Sequence, residues 1–257
     1  MKRATFLLLF GLGLTACGSA TTVTSSEPAP ATNQALAEVP TDLKPGTVNI
    51  RTASMADGTQ ITYGLILPED FDPAQQYPVL LALPPGGQTV ELMVSVAQET
   101  YLDEALSRGW VVITPAAPDG VLFFQGSEEY IPELLDQNSW IKPEGDRYHI
   151  AGVSNGGRSV FRITSLNPEL FRSALVFPGF PDDPSDSAAL SELAKIPVAM
   201  FVGGDDPGWI APMNETRDTL ESLGGSVTLE VRTGEGHIMT SLSDGVDIFD
   251  FLDSARP

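Results

Sequence analysis

In Gly152-Val153-Ser154-Asn155-Gly156-Gly157 a serine stands between glycines, and the flanks determine what chemistry that spacing allows. Arg147-Tyr148-His149-Ile150-Ala151 before it is short, β-branched and aromatic, the composition of a strand entering a core. Arg158 to Leu166 after it suits a helix, stopped at Asn167-Pro168 where proline cannot continue it. A sharp strand-to-helix turn holds a hydroxyl at its tip and brings the residues two before and two after the serine almost into contact. Both must be small, and here they are Gly152 and Gly156. The pattern therefore predicts Ser154 as a nucleophile.

A serine hydroxyl attacks poorly at neutral pH without a base in hydrogen-bond reach. Two histidines are present. His149 lies in the strand leading into the turn, several residues below the serine, where packing is the expected role. His237 closes the Gly-rich loop Thr233-Gly234-Glu235-Gly236-His237, directly after the strand-like Val227 to Arg232. From there an imidazole can reach back over a sheet edge, so His237 is the expected base. A third group should hold that imidazole in one tautomer and stabilise it when charged. Pro197 to Val202 reads as a strand and runs into Gly203-Gly204-Asp205-Asp206-Pro207, which leaves Asp205 and Asp206 both as candidates. Gly, Asp and Pro also make turns on their own account.

With these residues in view, the chain from about Pro78 onward resembles the α/β-hydrolase superfamily, and within it small secreted esterases of the polyester-depolymerase-like and feruloyl-esterase-like kinds. The likeness rests on the Gly152–Gly157 turn, Asn167-Pro168-Glu169-Leu170-Phe171, Gly203-Gly204-Asp205-Asp206-Pro207 and Gly236-His237. It implies an α/β-hydrolase fold, a Ser154–His237 pair with the later Asp206 as the acid, and hydrolysis of carboxylic esters through an acyl-enzyme, with no cofactor. The Ser-Asn-Gly-Gly run also resembles prolyl-oligopeptidase-type peptidases, which carry a propeller domain this chain has no room for. A serine peptidase and a non-catalytic envelope binding protein on the same scaffold are the alternatives. One departure stands out: the superfamily usually has His-Gly after its third strand, where an amide binds the oxyanion, and this chain has Leu83-Pro84-Pro85-Gly86-Gly87-Gln88. Proline has no N–H to donate. The donor is then Gly86, Gly87 or Gln88, with Gly87 the middle choice, and Asn155 supplies the other amide.

These groups need a scaffold. Thr47–Ser54 and Thr59–Leu67 look like a hairpin, followed by strands near Val79–Leu83, Trp110–Thr114, Tyr148–Ala151, Ala174–Phe177, Val198–Val202 and Val227–Arg232. Helical stretches fall at Leu92–Ser107, Glu128–Gln137, Asn155–Leu166, Ser187–Ala194, Ala211–Leu223 and Val246–Leu252. Alternating near-continuous apolar strands with helices predicts an α/β fold, a mostly parallel twisted sheet of about eight strands covered on both faces, with no large lid. The expected reactive residues all follow strand C-termini, where sites of open α/β sheets lie. Trp209, Phe180 and Phe123 are expected to contact substrate, with Phe124 and Trp140 nearby in loops. Asp182, Asp183 and Asp186 read as acids near a helix start, and no metal is expected there.

The N-terminus reads differently. Met1-Lys2-Arg3 precedes an apolar run from Thr5 to Leu14 that is too short to span a membrane. Leu14-Thr15-Ala16-Cys17 resembles the lipobox of bacterial lipoproteins, and Cys17 is the only cysteine. This predicts a signal peptide over 1–16, lipidation of Cys17, a Ser/Thr/Ala/Pro-rich tether over 17–45 and a catalytic domain over 46–257, exported and anchored at the bacterial cell envelope. The net charge is −20, from 34 acidic and 14 basic residues. Clustered cations for phosphate are missing, so nucleic acid is excluded as a partner. The expected partners are an ester substrate and, through Cys17, the membrane, with the protein a monomer.

Overall fold

The computed structural model describes residues 37–183, 186–187 and 189–257; Cys17 and the expected signal peptide lie outside them. Eight strands form one sheet: β1 (Val48–Ser54), β2 (Gln60–Ile66), β3 (Val79–Leu83), β4 (Val111–Pro115), β5 (Tyr148–Gly152), β6 (Phe171–Val176), β7 (Val198–Gly203) and β8 (Val227–Arg232). Their spatial order is β1-β2-β4-β3-β5-β6-β7-β8. β2 runs antiparallel to β1 and β4, and every other pairing is parallel. The Ala56-Asp57-Gly58 turn sets the hairpin register, pairing Ser54 with Gln60, with the Asp57 carboxylate accepting the Thr59 amide at 2.8 Å.

Central strands alternate faces, so neighbouring residues feed two cores. Leu81, Ile113, Val176 and Met200 face one side; Leu80, Val112, Leu175 and Ala199 face the other. The first side is covered by α3 (Ile131–Gln137), α4 (Asn155–Leu166), α5 (Leu190–Leu193) and α6 (Pro207–Ser222), through Leu134, Val160, Leu193 and Met213. The second is covered by α1 (Val90–Val96), α2 (Leu102–Arg108), the turn between them and α7 (Val246–Ser254), through Val96, Ala105, Tyr101 and Phe249 respectively. Burial on both faces explains why β3 and β4 are apolar at nearly every position. The edge strand β8 instead alternates half-buried and exposed residues.

Several boundaries differ from the sequence expectation: α3 starts at Ile131 after a 3-10 turn over Ser127–Tyr130, and α5 covers only Leu190–Leu193. Leu92–Ser107 is not one regular helix: a π turn (Ala97–Tyr101) joins α1 to α2, and both Ala97 and Tyr101 are buried in it. α6 starts at Pro207 rather than Ala211, because proline suits the first helical position, where its missing N–H breaks no bond. Residues 37–45, tether-like in composition, lie along the domain. Ala37 and Leu43 pack on the core, and Asp42 pairs with Arg51 at 2.6 Å.

Candidate active site

β5 ends at Gly152 and α4 begins at Asn155, so Ser154 occupies the turn between them. Its backbone sits at φ 56°, ψ −113°, a region an L-residue adopts at a cost of about 1–3 kcal/mol. Neighbouring bonds hold it there. The Ser154 amide donates to the Pro178 carbonyl at 2.9 Å, and the Gly156 amide to the Val153 carbonyl at 2.7 Å. The glycines are steric requirements: a Cβ on Gly152 would overlap the Gly156 carbonyl oxygen, and one on Gly156 would overlap that of Leu83.

The loop after β8 carries His237 across to this turn. Its Nε2 lies 2.8 Å from Ser154 Oγ, and its Nδ1 lies 2.7 Å from Asp206 Oδ2. A carboxylate has no proton to give, so Nδ1 donates to Asp206, leaving Nε2 to accept from the serine hydroxyl. Residues 83 and 31 positions from His237 thus meet it at its two ring nitrogens. Asp206 is mostly buried, with 14% of its side chain exposed, whereas His237 keeps 40% open to solvent. Of the two candidate aspartates, Asp206 is the one that reaches the imidazole. Asp205 donates its amide to the Glu235 carbonyl at 2.9 Å, and Gly204 donates to the Arg232 carbonyl at 2.8 Å. These bonds lace the two loops together. Gly203 lies against Gly236 so closely that a Cβ there would overlap its carbonyl oxygen. Glu235 braces the same loop by accepting from the Ser241 amide at 3.1 Å and the Ser241 hydroxyl at 3.0 Å.

The loop after β3 approaches Ser154 from the other side. The Gln88 amide donates to the Pro85 carbonyl at 2.9 Å, which leaves the amides of Gly86 and Gly87. The Asn155 side chain donates from Nδ2 to the Gly86 carbonyl at 2.9 Å, fixing the Gly86–Gly87 peptide plane and with it the direction of the Gly87 N–H. Gln88 is fully buried and acts as a brace: its side chain accepts from the Phe123 amide at 2.8 Å and donates to Ser159 Oγ at 3.0 Å.

The aromatics expected to contact substrate sit in different surroundings, and neither Trp209 nor Phe180 lines the cavity beside Ser154. Trp209 packs on His237 with ring centroids 4.9 Å apart, and Phe180 meets Trp209 edge-on at 4.9 Å. Arg158 lies over both rings at 5.0 and 4.9 Å and pairs with Asp182 at 3.1 Å. Phe123 is different. It is fully buried in the core, held there by the Gln88 bond to its amide, and does not line the cavity beside Ser154. Trp140 is likewise a core residue, edge-on to Phe71 at 5.7 Å. Asp186 is buried against Arg162 at 3.1 Å. Among the described residues no three His, Cys, Asp or Glu side chains converge to hold a metal ion.

His149 is fully buried, with Nδ1 2.7 Å from Ser173 Oγ and its ring 4.8 Å from Trp110. Burial, with the charges of Arg172 and Arg256, pushes its pKa down to about 3, so it stays neutral and structural. Beside Ser154 and His237 opens a cavity of about 480 Å³, walled by Leu92, Val96, Val153, Phe177, Met239 and Leu242. A broader cleft of about 670 Å³ near Glu69, Asp103 and Ser107 borders none of Ser154, His237 and Asp206.

No protein-family model matches the sequence. Solved structures do. An S-formylglutathione hydrolase from Agrobacterium tumefaciens matches over 82% of this chain and 99% of its own, with TM-score 0.66 and 15% identity. A thermostable esterase matches over 80% of this chain, with TM-score 0.63 and 19% identity. Porphyromonas gingivalis dipeptidyl peptidase 4 matches over 81%, with TM-score 0.62 and 13% identity. The fold is that of the α/β hydrolases. This chain spans 62% of the esterase's length and 35% of the peptidase's. In the α/β-hydrolase frame, the turn after β5, the loop after β7 and the loop after β8 converge at the carboxyl edge of the sheet, where ligands of such sheets bind. Sequence reasoning located the residues of the hydrogen-bonded series. It named Gln88 only as a candidate amide donor and did not foresee the supporting side-chain roles of Asn155, Gln88 and Glu235, because each acts on a partner whose proximity only folding creates.

Proposed function

We propose that this chain is a serine hydrolase of carboxylic esters, with Ser154 as nucleophile, His237 as base and Asp206 as the acid that orients it. The single observation that carries this reading is the unbroken series Asp206–His237–Ser154, with hydrogen bonds of 2.7 and 2.8 Å. Ser154 Oγ forms a bond to the ester carbonyl carbon while its proton passes to His237 Nε2. Asp206 stabilises the resulting imidazolium. The negative charge gathers on the former carbonyl oxygen, which accepts from the Asn155 and Gly87 amides; losing one such donor typically lowers the rate by about 10²–10³. As the carbon–oxygen bond to the alcohol breaks, His237 returns the proton to the departing oxygen. Water then repeats the sequence: His237 takes its proton, the acyl carbon gains its oxygen, and Ser154 leaves with the proton from His237. The thermostable esterase among the fold neighbours accords with an ester carbonyl as the target. The remaining expectations join this reading: export under the 1–16 signal and anchoring at the cell envelope through lipidated Cys17.

The test is labelling of the purified protein with a fluorophosphonate, together with a panel of 4-nitrophenyl esters and matched peptide amides. Labelling and ester turnover, both lost in Ser154→Ala, support the reading. Amide cleavage without ester cleavage replaces it with a peptidase, and neither labelling nor turnover replaces it with a binding protein.

A further inference from the structure

The cavity next to Ser154 has a chemistry that narrows the substrate. Leu92 and Val96 come from α1, Val153 and Phe177 from the ends of β5 and β6, and Met239 and Leu242 from the segment after His237. All six are hydrocarbon or thioether side chains, and Phe177, Met239 and Leu242 are buried. Ile238, the residue directly after His237, is 82% exposed at the cavity's edge, the most exposed large hydrophobic side chain among the described residues. An apolar group that open beside a nucleophile–base pair lowers its free energy when another apolar surface covers it. Among the described residues Glu99 is the one formally charged side chain lining the cavity; it is solvent-exposed and belongs to the π turn, a device frequent at functional sites.

We propose that this cavity seats the acyl portion of the ester, that the preferred acyl group is an uncharged apolar chain or ring of intermediate size, and that Glu99 rejects acyl groups ending in a carboxylate. The inference rests on the ester-hydrolase reading given above. The acyl group, rather than the alcohol, belongs on this side because it remains bonded to Ser154 through both chemical steps. The alcohol leaves after the first, and an enclosing apolar wall would slow its departure. Ile238 folds down on the bound chain and shields the ester from water. The repulsion of carboxylates comes from Glu99, a solvent-exposed carboxylate at the cavity's rim, within a chain of net charge −20, and from the cost of moving a second carboxylate out of water onto an apolar wall.

Two ester series test it on the intact protein. One holds the alcohol fixed as 4-nitrophenol and lengthens the acyl group from acetyl to hexanoyl; the other holds acetyl fixed and lengthens a primary alcohol. Each methylene buried in the cavity raises kcat/KM by about fourfold, so four of them give roughly 100-fold when burial is incomplete. The alcohol series stays within about threefold. The 4-nitrophenyl half-ester of adipic acid falls at least tenfold below hexanoate, and Glu99→Gln narrows that gap. Val96→Trp, which fills the cavity, brings the hexanoate-to-acetate ratio towards one. Because Val96 is half-buried, Ile238→Gln on the exposed rim provides a second variant that threatens folding less; it lowers the same ratio several-fold. A flat acyl series, a length dependence that follows the alcohol, or ratios untouched by both variants overturns the proposal while leaving the ester-hydrolase reading standing. Absence of turnover on every ester, with no labelling of Ser154, sinks that reading instead.

Discussion

Replacing Gly203 by alanine tests whether packing between two loops, rather than the hydrogen bonds alone, sets the reach of His237. Gly203 closes β7 three residues before Asp206, and its Cα faces the backbone of Glu235 and Gly236. An added methyl would overlap both carbonyl oxygens, and neither is the movable end of a side chain. Restoring ordinary contact from 2.0 Å requires the 235–237 segment to retreat by more than about 1 Å, and even a misplacement of about 1 Å in a catalytic arrangement costs about 10²-fold. The 2.8 Å approach of Nε2 to Ser154 Oγ would then exceed hydrogen-bond reach. Overpacking also lowers stability by about 1–3 kcal/mol, offset in part by about 0.4–1 kcal/mol from a stiffer unfolded chain. At the middle of these ranges the net loss is about 1.3 kcal/mol, which for a domain of this size lowers Tm by about 3–5 °C. The assay is kcat and KM on 4-nitrophenyl butyrate, the rate of fluorophosphonate labelling, and Tm. Gly204→Ala is the control: its Cβ would meet the Arg232 carbonyl oxygen at 3.2 Å, a fit that a few tenths of an ångström relieves. Gly203→Ala should lose about 100-fold in kcat and in labelling rate, and Gly204→Ala less than tenfold. If Gly203→Ala turns over within threefold of the parent while Tm falls as expected, the loop contact does not position the base.

Asp206→Asn should lower kcat by about 10⁴-fold by stabilising the wrong imidazole tautomer, whereas Asp205→Asn stays within about threefold; equal losses would refute the assignment. Asn155→Ala removes the 2.9 Å bond that fixes the Gly86–Gly87 peptide. A net loss of about 1 kcal/mol appears as roughly a fivefold fall in kcat with KM nearly unchanged, read by steady-state kinetics. His149 gives a pH signature in stability. Its folded pKa of about 3 lies below its ordinary 6.5. Between those values the unfolded chain binds more protons than the native one, so the contribution is complete above pH 6.5 and declines as pH falls towards 3. The slope reaches about 1.4 kcal/mol per pH unit. His149→Gln should therefore show a smaller fall in Tm between pH 7 and pH 4 than the parent, and identical falls in calorimetry would contradict the assignment.

What the sequence by itself determined is local or periodic. The turn at Ser154 was legible because its steric demands fall within five residues: a strand, two obligatory glycines and a helix. The strands of the sheet were legible because burial on both faces requires nearly unbroken apolar runs, and the order Ser154, Asp206, His237 placed each candidate just past a strand end. Tertiary structure decided the rest. The choice between Asp205 and Asp206 turned on which one the loop bonds aim at His237, 31 residues or more away. Phe123 has the composition of a ligand contact, yet its amide is held by Gln88, 35 residues earlier, and its ring went into the core. The cavity draws its wall from α1, two strand ends and the segment after His237, and a π turn borders it where periodicity predicts an ordinary helix. Side-chain hydrophobicity states that a residue will be covered; only the packed chain determines whether protein or substrate covers it.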